Sequence, residues 1–209
     1  MKKILALTLS VLMIFALLAG CGGKADKLSD EEMIVGRWEM TMNVGKLFTA
    51  AFEQMGVDVG SNKKAELIVY FDFTADGTYA VSVDEASAEK ATESIVEIAK
   101  DLFRSLYPEE TLEQMAAQEG MDVEEMMDAM AAEVAGEMDM SDMNSTGDYK
   151  IENGKLYFDG DADEGFTYKL SAKKLELTGV DISEMESDGE DTISMMLEYM
   201  FPMVMKKVS

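Results

Sequence analysis

The chain has 209 residues, with no histidine, a single cysteine, and 42 acidic against 18 basic side chains, for a formal net charge of −24. Such an excess of carboxylates repels phosphate backbones and argues against nucleic acid as a partner. Without histidine there is no Ser-His or Cys-His catalysis and no ordinary zinc site, and with one cysteine there is no internal disulfide.

The N-terminus runs from Lys2-Lys3 through an uncharged apolar stretch, residues 4–18, to Ala19-Gly20-Cys21. A basic start, a short apolar core and small residues ahead of a cleavage point make a secretory signal peptide. The apolar stretch is shorter than the about 20 residues that a spanning helix needs. Leu18-Ala19-Gly20-Cys21 resembles the lipobox of bacterial lipoproteins. That resemblance implies cleavage before Cys21 and diacylglycerol on its sulfur, hence a protein held at the extracytoplasmic face of the cell membrane. Removing residues 1–20 leaves 189 residues and takes the formal charge to −26, because Lys2 and Lys3 are lost. A chain of that length can form one domain burying about 70% of its unfolded surface. An anionic membrane surface repels it, so attachment is expected from the lipid rather than from a basic patch.

Residues 21–33 are small, polar and charged without apolar periodicity, and read as a tether; the domain is expected over 34–209. In residues 34–42, Trp38, Met40 and Met42 alternate with Arg37, Glu39 and Thr41, the period of a strand with one buried face. Arg37 then points outward, to an exposed ion pair. Val44, Leu47, Phe48, Ala51, Phe52 and Met55 recur at helical spacing, with Gly56 at the C-terminal cap position. Residues 65–73 read as a strand with Leu67, Val69, Phe71 and Phe73 inward. A turn at 74–77 leads to a return strand over 78–83, with Tyr79, Val81 and Val83 inward. A helical insertion follows at 84–143. Its first helix ends at Tyr107-Pro108, its second at Gly120, and its third opens on the capping box Asp122-Val123-Glu124-Glu125. The third helix carries the stripe Val123, Met126, Met127, Met130, Ala131 and Val134. Strands resume at 146–151 and 156–158 around Asn153-Gly154, a strong hairpin signal, then at 166–170 and 174–178. A helical stripe over 190–200 precedes a last strand at 203–208.

The expected fold is mainly β (α+β): an antiparallel up-and-down meander or barrel of about eight strands, with a short helix after the first strand and the helical insertion between strands three and four. Gly36-x-Trp38, Phe73-x-x-Asp76-Gly77-Thr78-Tyr79, Gly147-x-Tyr149-x-Ile151-x-Asn153-Gly154-x-Leu156, Tyr168-x-Leu170 and Leu175-x-Leu177 together resemble the lipocalin-like domains of bacterial lipoproteins. The resemblance covers most of the mature chain apart from the tether and helices, and implies a barrel of the kind that binds small hydrophobic molecules. A pocket lined by Trp38, Val69, Phe71, Tyr79, Val81 and Tyr149 is the expected site. The competing expectation is a cell-envelope interaction or structural protein with a packed interior and an acidic, Met-striped helical face that meets another protein.

No residues are singled out as catalytic, since any carboxylate pair is expected by chance among so many, and no cofactor is called for. Met138, Met140 and Met143 have thioether spacing resembling cuprous-copper sites of export proteins, yet methionine is also a common filler of irregular cores. Packing is preferred for them. Asp159-Gly160-Asp161-Ala162-Asp163 opens like a calcium loop but lacks glycine at the sixth position and has Leu170 where the closing glutamate belongs. It reads as a solvated hairpin loop.

Overall fold

Alternation of apolar and polar residues produces eight strands, and each hydrogen-bonds to its sequence neighbour. The computed structural model describes residues 28–54, 56–57, 63–136, 138–159, 165–180 and 200–208. The strands are β1 (Gly36–Asn43), β2 (Glu66–Phe73), β3 (Thr78–Val83), β4 (Ser145–Glu152), β5 (Lys155–Phe158), β6 (Phe166–Leu170), β7 (Lys174–Val180) and β8 (Met203–Lys207). All neighbours are antiparallel and β8 pairs back onto β1, closing the barrel. Closure leaves no strand edge open. No helix among the described residues is long and apolar enough to cross a membrane.

The register places the expected inward residues together. Trp38 lies opposite Phe71, which lies opposite Val81, and Met40 opposite Val69, which lies opposite Val83. Trp38, Leu67, Val69, Leu156, Leu175 and Met205 are completely buried, or nearly so, in one core. Outside the barrel, Arg37 forms an exposed pair with Asp72 at 2.7 Å.

The two ends differ. Tight turns at 74–77, 153–154 and 171–173 share the end at which β1 starts, whereas every long connection leaves the opposite end. Asn153 and Gly154 both have positive φ, 52° and 75°, as a two-residue type I′ hairpin demands. The tight-turn end is covered by α1 (Asp30–Ile34), a helix that begins within the segment expected to be tether, 21–33, and ends just past it. The Ser29 hydroxyl accepts from Glu32 N–H and the Glu32 carboxylate accepts from Ser29 N–H, a reciprocal capping box. Ile34 enters the core, Trp38 Nε1 donates to Ile34 O at 2.6 Å, and Lys207 Nζ donates to Met33 O at 2.8 Å. Tyr168 Oη also donates to Asp30 Oδ2 at 2.5 Å. The folded chain therefore reaches back to Ser29, and β1 starts at Gly36 rather than at Ile34.

At the other end, α2 (Val44–Gln54) follows β1, and the insertion between β3 and β4 forms α3 (Glu85–Leu106), α4 (Glu109–Glu119) and α5 (Val123–Gly136). Ile95, Ile98 and Leu102 of α3 join the barrel core. Leu112, Ala116, Met126 and Met127 form a second small core between α4 and α5. The stretch expected as a helix over 190–199 lies outside the described residues.

Lys100 fastens α5 to α3. Its nearly buried side chain ends 2.6 Å from both Glu124 and Asp128, and hydrogen bonds to Asp128 and then Glu124 raise its pKa, while the bond from Lys100 holds Glu124 below its ordinary value. The raised Lys100 pKa means that its contribution is complete below about pH 10 and fades above that, as pH climbs through the folded-state value. The depressed Glu124 value means that its contribution is complete above about pH 4 and fades as pH falls through the folded-state value. Docking of α5 is therefore expected to loosen first in acid. Hydrogen exchange of 123–136, corrected for intrinsic rates, should show protection falling below about pH 4, with Lys100→Met weakening protection at neutral pH and flattening that dependence.

Candidate functional site

All six residues expected to line a pocket point into the barrel by register. Trp38 and Val69 are fully buried and Tyr79 is nearly so, whereas Phe71, Val81 and Tyr149 are half-buried against the same core. They are tied together by Phe73, expected inward but outside the pocket set, and by Phe158 and Phe166, which sequence reasoning left out. Phe73 meets the Tyr149 ring edge-on at 5.0 Å, Tyr79 meets Phe158 edge-on at 4.9 Å, and Phe158 continues to Phe166 at 5.6 Å. Edge-to-face geometry at these distances is the favoured aromatic arrangement. Phe158 and Phe166 were recognisable through strand phase, since each lies two or four positions from another inward residue, Leu156 or Leu170.

Among the described residues, no buried side-chain polar atom lacks a hydrogen-bond partner. Tyr79 Oη donates to Asp159 Oδ2 at 2.8 Å, and Tyr149 Oη donates to Thr74 O at 2.7 Å. Burial, and for Tyr79 also the bond to Asp159, raises both phenol pKa values, so both rings remain neutral donors at physiological pH. Lys207 is the one inward-phase cation at the tight-turn end among the described residues, its Nζ 5.1 Å from the Trp38 ring centroid. Burial lowers its pKa.

A cleft of about 220 Å³ lies between β1, β8 and α2. Inward-facing Met40, Met42 and Met203 line it together with Leu47, beside the polar side chains of Thr41, Asn43 and Lys46. None of the six expected residues lines this cleft; it is built from their neighbours on β1 and from β8. A second, open cleft of about 620 Å³ separates β2 from the start of α3. Its lining mixes Lys64 and Lys90 with Glu66, Asp84 and Glu93, beside Ile68 and Ala86.

Met140 is buried in a short 3-10 turn (Met140–Met143), and Met138 and Met143 are half-buried, all against the barrel core. Among the described residues, no group of three acidic or cysteine side chains is disposed to hold a metal ion. Of the expected loop 159–165, only Asp159 and Gly165 are described, and Asp159 is engaged by Tyr79.

Fold and interior together define a closed, eight-stranded antiparallel barrel with a helical cap, consistent with a lipocalin-like barrel. No family model, curated protein or solved structure matches the chain.

Proposed function

We propose that this is a lipid-anchored, extracytoplasmic lipocalin-like protein that binds a small hydrophobic ligand and performs no catalysis. The observation that carries the reading is the cleft in which Met40, Met42, Met203 and Leu47 lie together beside Thr41, Asn43 and Lys46. Methionine linings adapt to ligands of irregular shape, and concave, mostly apolar sites with a few polar groups at the rim suit small molecules. The anchor is Cys21, on the strength of its lipobox and the apolar run before it. Native mass spectrometry of protein extracted from its own host's membranes should show a mass beginning at diacylglyceryl-Cys21 and a reproducible small-molecule adduct. Met42→Trp, which fills the cleft, should abolish the adduct while the protein still folds. Absence of any adduct from the wild-type protein, or an adduct indifferent to Met42→Trp, would overturn the ligand reading.

A second reading, a partner protein docking on the helices, is favoured by Leu106 and Tyr107. These are 41% and 38% exposed at the α3–α4 corner, within a strongly acidic surface.

A further inference from the structure

We infer that the barrel stands on the bilayer with its tight-turn end toward the lipid, so that α3–α5 and the methionine-lined cleft are directed away from the membrane. This rests on the proposed lipidation of Cys21. The helix α1, with Ser29 as its N-cap, covers the tight-turn end. Between the Cys21 and Ser29 α-carbons the chain makes eight steps, a reach of at most about 28 Å. Turning the helical end to the membrane would require this tether to run back along the barrel wall. Eight-residue strands such as β1 and β2 are themselves about 26 Å long. Nothing would remain of the tether to reach the lipid.

Charge argues in the same direction. Residues 84–143 carry 18 acidic side chains against three basic ones, at the end farthest from the tether. Anionic headgroups would repel that end. At the tight-turn end, Lys155, Lys173, Lys174, Lys206 and Lys207 stand in or beside the turns against Asp76, Glu152 and the α1 carboxylates of Asp30, Glu31 and Glu32, so this end is close to neutral rather than strongly acidic. Leu28 and Val208, 51% and 40% exposed, add apolar surface just before α1 and just after β8, at this same end. With the acidic helices held more than a Debye length, about 10 Å at 0.1 M salt, from the surface, the net charge of the chain does little to oppose anchoring. The consequence for binding is directional: ligand enters from the aqueous side rather than by lateral passage out of the anchoring bilayer.

The lipidated full-length protein, reconstituted in phosphatidylcholine–phosphatidylglycerol vesicles containing a dansyl-headgroup lipid, tests this directly. Trp38, the sole tryptophan, should transfer its excitation efficiently to the dansyl acceptor. Inserting a 20-residue Gly-Ser stretch after Lys27 should weaken the transfer severalfold. Acetylation of Lys173 and Lys206 should be severalfold slower on vesicles than in detergent, with Lys64 and Lys90 unchanged. In a protein shown by intact mass to carry the lipid, protection of Lys64 and Lys90 instead would overturn the orientation alone. A mass showing no lipid on Cys21 would overturn the anchor, and the orientation with it.

Discussion

Trp38→Ala should lower the unfolding free energy by about 3–5 kcal/mol, the usual cost of truncating a large buried aromatic ring. The magnitude belongs at the upper end because three features converge on this side chain. The ring is completely buried, its Nε1 holds Ile34 O at 2.6 Å, and the Lys207 ammonium lies over it at 5.1 Å. Removing the indole therefore leaves a cavity, orphans a carbonyl of α1 and takes away the surface on which Lys207 rests. Trp38→Phe separates these contributions. It keeps most of the packing but leaves the Ile34 carbonyl without its donor, at a cost of about 1–3 kcal/mol. Denaturant melts followed by far-ultraviolet circular dichroism give both numbers, since the substitutions remove the fluorophore. A Trp38→Phe midpoint equal to wild type would show that the indole N–H does not help to close the barrel end.

Why Trp38 could be placed from sequence while its partners could not follows from the reach of each signal. Strand phase is local: once Trp38 and Met40 are inward, two-residue alternation fixes the side chains of β1, and the same rule orders Leu67, Val69 and Phe73. Alternation from Met203 and Met205 also puts Lys207 inward, and a charge in an apolar phase was the available clue to the closed end. The helix α1 gave a weaker signal. Ser29-Asp30-Glu31-Glu32 spells a capping box, but the helix is five residues long and buries only Ile34, so no periodic stripe announces it. The cleft was not foreseen for a related reason. Strand phase identifies residues that face the interior, but which of them border an opening depends on how α2 and β8 flank β1, and that is settled by long-range packing.

Gly147→Ala is the second substitution expected to be costly, at about 1–3 kcal/mol from overpacking. A methyl group there would lie 1.7 Å from Asp159 Oδ1 and 2.9 Å from Tyr79 Cε1. The carboxylate cannot retreat freely, because Asp159 sits at φ 55°, donates its N–H to Asp148 O at 2.7 Å and accepts from Tyr79 Oη at 2.8 Å. Glycine at 147 is thus what lets β3, β4 and the end of β5 approach closely enough for Tyr79 to find its acceptor and for Phe158 to meet its ring edge-on. Asp159→Gly removes the obstructing carboxylate and suits the positive φ, while depriving the Tyr79 hydroxyl of its partner. In that background Gly147→Ala should cost less than it does alone, leaving a coupling of about 0.5–3 kcal/mol in a double-mutant cycle. Additive losses would mean that the methyl group is opposed by something other than Asp159. The Tyr79 titration gives an independent check: its phenol pKa, raised by burial and by the bond to Asp159, should fall toward the ordinary tyrosine value in Asp159→Gly without reaching it, because the ring stays buried.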